Sequence, residues 1–325
     1  MDNINRQDDH KKHKQLEKIF PELENILGKS EEIILDGFSI PKKKVYLIIG
    51  CARSGSTLLY QYLANTGYFV YPTNFLSRFY YAPYIGYRLQ QALLDFDVKG
   101  EIFQQQESNK NFTSNLGKTK GPKEPHEFWY FWNRFFKFKE LQQLSEDEIN
   151  DVDWSLFLKE LHALEEAANQ PILMKAINLN WNLKDLKERI PNVHFVYIKR
   201  DVVYNAQSLL VSRNNFFGNY EEWYSFKTPN YHYLKKLAPA VQVVEQVITN
   251  NLDIEKQLLS IEEVNKTTIT YSDFCNQPSS VIEDLNKKGA DIVGYDSVFN
   301  FKNGNVENLT SSLFNEISAY LSKRN

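Results

Sequence analysis

The stretch "KVYLIIGCARSGSTLLYQYL", residues 44 to 63, constrains the fold more than any other. Its apolar run, Val45–Ile49, shows no alternation, so it reads as a strand covered on both faces. Gly50 ends the run, a small polar turn follows, and a helical pattern opens with Leu58 and Leu59. Strand, glycine turn and helix together make an anion cradle, because backbone N–H groups and a helix N-terminus converge on one point. The triphosphate-binding version reads G-x-x-x-x-G-K-[ST]. Gly50 and Gly55 keep that separation, but Ser56 stands where the lysine would be. Arg53 supplies a fixed positive charge instead, and Ser56 and Thr57 offer hydroxyl donors.

The rest of the chain repeats the alternation. Strands are expected at Ile172–Met174, Val193–Ile198 and Thr267–Tyr271, with a weaker one at Tyr68–Tyr71. Helical patterns lie between them at Ser56–Ala64, Trp154–Ala168, Leu183–Arg189, Val203–Val211 and Leu237–Leu259. This order predicts an α/β fold of three layers, a central parallel sheet flanked by helices. Residues 1–35 read as a polar, disordered tail of about twelve residues followed by an amphipathic helix that Pro21 interrupts. Residues 36–325 read as one α/β domain, with no internal repeat and no linker. The polar segment from Lys99 to Pro125 lacks periodicity, and a lid or insertion is expected near 95–150.

Composition excludes several classes. The formal net charge of -3 and the absence of like-charge blocks argue against nucleic acid. Only Cys51 and Cys275 are present, so no disulfide framework is expected and a reducing, cytoplasmic setting follows. The first residues lack the apolar core of a secretory signal, and no apolar run approaches the ~20 residues of a membrane helix. The histidines show no metal-ligand spacing, and no metal is expected.

A second anion site is visible in "YIKRDVVYNAQSLLVSR". Arg200 ends a strand and Ser208 follows eight residues later, in the first turns of a helix. Both groups then lie on the C-terminal edge of the sheet, beside the first loop, where open α/β sheets bind ligands. With both sites on the page, the chain resembles the sulfotransferases that use 3'-phosphoadenosine 5'-phosphosulfate (PAPS) and have a P-loop-type fold. Their [PGC]-x-[RK]-S-G-[ST]-[ST] loop holds the 5'-phosphosulfate, and "GCARSGSTLL" is similar to it. The resemblance therefore implies donor binding by Arg53, Ser54, Gly55, Ser56 and Thr57. Their strand-end arginine with a serine eight residues on holds the 3'-phosphate, which implies Arg200 and Ser208. Lys175 in "ILMKAI" matches a strand-end lysine near the transferring sulfonate. Tyr271 in "TITYSDF" matches a tyrosine near the adenine. "FKNGNVENLT" resembles a late phosphate-binding loop and brings in Lys302 and Gly304. A phosphosulfate donor needs no magnesium-bridged γ-phosphate, so the usual lysine is dispensable.

The resemblance implies sulfonate transfer from PAPS, leaving adenosine 3',5'-bisphosphate (PAP), to a hydroxyl or amine of a small-molecule or carrier-bound acceptor. Arg53 and Lys175 are the expected electrostatic catalysts. A hydroxyl acceptor also needs a base. Members with a K-T-H pattern have a histidine there, but this chain reads Lys175-Ala176-Ile177-Asn178. The base is therefore expected in "GPKEPHEFWYFW": Glu127 first, His126 second, Glu124 third. Some rings of "FWYFWNRFFKF" are expected in the core and others facing an apolar acceptor. Two other readings remain: a P-loop nucleotide kinase with Asp201 as its acidic residue, and a nucleotide-binding protein without activity.

Overall fold

The computed structural model describes residues 5–102, 112, 114–294, 299 and 301–324. Four parallel strands form its sheet among those residues: β1 (Val45–Ile49), β2 (Ile172–Lys175), β3 (Val193–Lys199) and β4 (Lys266–Thr270), in the order β2-β1-β3-β4. In chain order the helices are α1 (Lys14–Leu35), α2 (Ser56–Ala64), α3 (Pro83–Gln90), α4 (Trp129–Phe136), α5 (Glu146–Asn150), α6 (Trp154–Ala168) and α7 (Leu183–Arg189). They continue with α8 (Val202–Phe217), α9 (Tyr231–Leu234), α10 (Pro239–Leu258), α11 (Tyr271–Asn276), α12 (Ser279–Lys287) and α13 (Ser311–Arg324). The expected three-layer α/β fold is present.

Every residue of β1 is buried, as its unbroken apolar run requires. Period-two geometry divides the side chains between two cores. Val45, Leu47, Ile49, Phe195 and Tyr197 pack with the rings of α4 and with Phe157 of α6. Tyr46, Ile48, Leu173, Val196 and Ile198 pack on the other face with Leu59, Tyr62 and Leu63 of α2 and with Phe274. Each fully buried Leu, Ile or Phe contributes about 1.5–3 kcal/mol, so both faces of the short sheet are anchored. β1 pairs with β2 on one side, Ile48 opposite Lys175, and with β3 on the other, Ile49 opposite Tyr197. The chain leaves β1 first towards β2 and later towards β3. The strand order therefore reverses at the C-terminal ends of β1 and β3, where a crevice forms.

Several expectations need correction. Pro21 does not interrupt the first helix; α1 runs unbroken from Lys14 to Leu35. Tertiary packing overrides the missing N–H: Phe20 is buried against Tyr81 and Ala82, and the buried Glu31 carboxylate accepts the amides of Tyr84 and Ile85 at the start of α3. The tail is not disordered over residues 5–12. His10 is buried and stacks on Phe216 at 4.7 Å, and Gln7 N–H donates to the Phe216 carbonyl. Tyr68–Tyr71 is no strand but a single bridge from Val70 to Ile172, because Pro72 cannot extend the ladder. Tyr271 opens α11 rather than ending β4, since Thr270 Oγ1 caps that helix through the Asp273 amide. In α4, as expected of some of these rings, Phe131, Trp132, Phe135 and Phe136 are buried in the core, while Trp129 and Tyr130 are partly buried. Of the expected lid, residues 103–111 and 113 lie outside the described residues.

Candidate active site

The loop after β1 is held from three directions. Asn180 clasps Gly50, accepting its N–H at 3.3 Å and donating to its carbonyl at 2.9 Å. Asn205 of α8 donates to the Ala52 carbonyl at 2.8 Å. Gly55 ends the loop at φ 98°, and a β-carbon there would stand 2.4 Å from Cδ2 of Tyr271. The loop thus turns sharply under the tyrosine ring, which only glycine permits.

So pinned, the loop presents donors without acceptors. The amides of Gly55, Ser56, Thr57 and Leu58 find no acceptor among the described residues, and Leu59 is the first to bond back, to the Gly55 carbonyl. Such free amides are the normal endowment of a helix start. Ser54 adds a buried Oγ with no hydrogen-bond partner among the described residues. Buried polar atoms rarely stay unpaired, so these donors and the positive end of α2 fit a phosphate or sulfonate oxygen set. Cys51 is fully buried, and burial pushes its thiol up, so it is a packing residue and not a reactive one.

Beside this cradle lies a second cationic group. Arg200 leaves β3 and donates to the Arg53 carbonyl at 3.3 Å, while Arg53 Nε donates to Ser208 Oγ at 3.3 Å. Arg200 also lies over the Tyr271 ring at 4.6 Å. It donates to Asn305 Oδ1 at 2.6 Å and to the Gly304 carbonyl. Gly304 N–H in turn donates to the Tyr271 hydroxyl at 3.2 Å. Burial lowers the Arg200 pKa, and the neighbouring Arg53 charge adds to the effect. Arg53 and Arg200 thus lie on one rim, neither in an ion pair among the described residues, and such cations suit an anionic ligand. Asp201, the acid of the kinase reading, is used otherwise: its Oδ1 caps α8 through the Val203 amide at 3.0 Å.

The third cluster lies at the end of β2. Lys175 Nζ is buried, donates to Thr57 Oγ1 at 3.0 Å and forms an ion pair with Glu127 Oε1 at 2.6 Å. The Glu127 side chain is 40% exposed, whereas that of Lys175 is buried. Burial pushes the Glu127 carboxyl up, but the surrounding positive groups, Lys175 foremost and Arg53 among them, together outweigh it, and the net shift is downward. His126 behaves differently. Its Nδ1 accepts the Phe128 amide at 2.9 Å, and burial lowers its pKa to about 4. That ring is neutral, with one nitrogen already engaged. Glu124 accepts from Gln61 Nε2 at 2.9 Å and lines a separate small pocket with Tyr71 and Phe112.

A tight turn covers the pair. Asn115 and Lys118 exchange backbone hydrogen bonds at 2.9 Å, with Leu116 and Gly117 at positive φ between them. A β-carbon on Gly117 would stand 3.1 Å from Glu127 Oε1 and 3.4 Å from Thr57 Oγ1. The Tyr224 hydroxyl donates to the Leu116 carbonyl at 3.3 Å.

The crevice thus brings together Arg53, Ser54, Gly55, Ser56, Thr57, Lys175 and Glu127, and beside them Arg200, Ser208, Tyr271 and Gly304. Lys302 is exposed and makes no hydrogen bond or ion pair among the described residues. Sequence reasoning missed Asn180, Asn205, Asn305, Tyr224 and the turn at Leu116–Gly117. Their partners lie far away along the chain, so no local pattern marks them.

A model of the sulfotransferase family matches residues 46–288, which is most of the chain. Among solved structures, sulfotransferase STF9 from Mycobacterium avium is similar with a TM-score of 0.50 at 14% identity, over 87% of this chain and 69% of that one. Sulfotransferase STF1 from Mycobacterium tuberculosis H37Rv gives a TM-score of 0.48 at 11% identity, over 92% of this chain and 76% of that one. No curated protein sequence matches. Among the described residues no helix is long and apolar enough to cross a membrane. The family model runs from β1 through α12, taking in the anion loop, Lys175 and Arg200: this chain belongs to the sulfotransferase family and is an enzyme of sulfonate transfer.

Proposed function

We propose that the sulfonate donor is PAPS and that the acceptor is a hydroxyl or amine on a small or carrier-bound molecule. The observation that carries this reading is the contact between Arg200 and the Arg53 carbonyl, which joins two anion sites on one rim of the sheet. A ligand with anionic groups at two separate points of one nucleoside suits that rim; a lone phosphate does not need it.

In this reading Ser54 Oγ, the amides of Gly55 to Leu58 and the Arg53 side chain hold the 5'-phosphosulfate. Arg200 and Ser208 hold the 3'-phosphate, and Tyr271 borders the adenine. The loop at Gly304–Asn305, already bonded to Arg200, closes over the nucleotide. When bound, the donor supplies an activated sulfonate. Lys175 and Arg53 offset the negative charge that develops on the equatorial and leaving oxygens, a contribution of ~2–4 kcal/mol for one such contact. Glu127 takes the acceptor proton, being the carboxylate that pairs with Lys175 beside Thr57 at the mouth of the anion loop. His126 is set aside as base, because burial keeps its ring a weak one and Phe128 occupies Nδ1. The turn at Leu116–Gly117 forms the cover that keeps water from the reacting groups.

Calorimetry tests the donor assignment. PAP binds with a micromolar dissociation constant and ATP with magnesium does not; the reverse order would overturn the reading. Separately, Glu127→Gln retains PAP affinity and loses turnover, whereas an active variant would remove Glu127 as base.

A further inference from the structure

We infer that Lys175 is a shared counterion that keeps Glu127 inactive until the donor arrives: the free protein stores the base as an ion pair, and the sulfonate releases it by drawing Lys175 away. This deepens the donor reading above and rests on it.

The geometry forces a choice on one ammonium group. Lys175 has three donors, and in the structure two of them are spent, on Glu127 Oε1 and Thr57 Oγ1. Both acceptors stand at the mouth of the anion loop, Thr57 in the first turn of α2 and Glu127 against the covering turn. Because Lys175 is buried, it cannot turn to solvent, and its head can only be shared among groups in this crevice. A sulfonate placed on the loop brings oxygens that compete for the same ammonium. The first of them takes the third donor, and each further contact they gain is one that Glu127 or Thr57 yields.

The consequence for Glu127 follows from what surrounds it. Lys175 faces it from β2, Arg53 from the loop, Lys118 from the covering turn and His126 from its own segment. The tyrosines Tyr60 and Tyr224 face it from α2 and from the segment after α8. Burial alone would make this carboxyl a weaker acid than usual; Lys175 is the largest opposing influence. His126 stays neutral in the working range and cannot replace it. A bound phosphosulfate also offsets the Arg53 charge. With both cations engaged by the donor, burial prevails, and the carboxylate gains proton affinity. Glu127 is therefore a poor base alone and a competent one beside the donor. In the reaction an acceptor alcohol forms its O–S bond while the sulfur–oxygen bond to the 5'-phosphate breaks. The bonding pair leaves on that phosphate, and the alcohol proton passes to Glu127.

The test reads protons rather than turnover. PAPS and PAP are each titrated into the full-length protein by calorimetry, without acceptor, at mildly acidic pH in two buffers of different ionisation enthalpy. Because Glu127 gains proton affinity, PAPS binding takes up a fraction of one proton. PAP, which has no sulfonate to claim Lys175, takes up less. The uptake with PAPS disappears in Glu127→Gln, an isosteric change at a partly exposed site, and in Lys175→Met, where the ion pair is absent from the start. Zero uptake with PAPS, equal uptake with PAP, or uptake that persists in Glu127→Gln would each overturn the switch. If neither nucleotide binds, the donor reading fails with it, and the two failures are told apart by the binding heat alone.

Discussion

Replacing Gly55 by alanine puts the central geometric claim under the greatest strain. The residue sits at φ 98°, and its added carbon would meet Cδ2 of Tyr271 at 2.4 Å and Cε2 at 2.8 Å. The backbone conformation costs an L-residue roughly 1–2 kcal/mol, and forcing a methyl into a packed contact costs about 1–3 kcal/mol more. The expected loss is thus roughly 2–5 kcal/mol, near the upper figure if the Tyr271 ring stays in place. If the ring yields instead, its stacking with Arg200 and its bond from Gly304 N–H go with it, and the strain appears as weaker nucleotide binding. Gly67→Ala is the control, since Gly67 lies at φ 71° with nothing within 4 Å of the added carbon; only the backbone part, about 1–2 kcal/mol, applies. Urea unfolding followed by tryptophan fluorescence gives the stabilities, and calorimetry gives the PAP dissociation constant. Gly55→Ala should be clearly less stable than Gly67→Ala or bind PAP clearly more weakly. Equal stabilities together with unchanged PAP affinity would refute the packing of the loop beneath Tyr271.

Three further predictions concern neighbouring contacts. Arg200→Ala should raise the PAP dissociation constant 10- to 100-fold, about 1.5–3 kcal/mol for a charged hydrogen-bond donor, and leave 5'-AMP nearly unaffected; equal losses for both nucleotides would detach Arg200 from the 3'-phosphate. Tyr224→Phe removes one bond to the Leu116 carbonyl, about 1 kcal/mol, so amide exchange at Lys118 should quicken about fivefold; an unchanged rate would show that the turn is held by other contacts. His194 is buried against Thr267 Oγ1, and burial lowers its pKa to about 4 from the ordinary 6.5. The unfolded chain therefore binds more protons between those two values. Stability is full above pH 6.5 and falls as pH drops towards 4, with about 2 kcal/mol lost by pH 5. His194→Gln should flatten that part of the urea-midpoint profile, and an unaltered slope would show that this ring is not responsible.

Much of the molecule can be read along the chain because the signals are local. Val45–Ile49 needs both faces covered wherever it lies, and Ser56–Ala64, Trp154–Ala168 and Leu183–Arg189 carry their own periodicity, so their limits coincide with the observed helices. The anion loop is equally local, since its donors are the backbone of consecutive residues. Where local preference and packing disagreed, packing won: Pro21 stays inside α1 because Phe20 and Glu31 are anchored on α3 and its neighbours. The inward turn of the α4 rings likewise follows from the sheet face they cover, which no helical period identifies.

The sequence by itself determined the alternation of strands and helices, the phosphate-type loop with Arg53, and the arginine that ends β3. Only the tertiary structure decided that Lys175 bridges Thr57 to Glu127, that Asn305 bonds Arg200, and that Leu116 and Gly117 cover the pair. Backbone geometry is encoded within a few residues. An ion pair between positions 127 and 175, by contrast, exists because two separate elements are brought to one edge by burial of their apolar neighbours, and that burial leaves no mark on the two charged residues themselves.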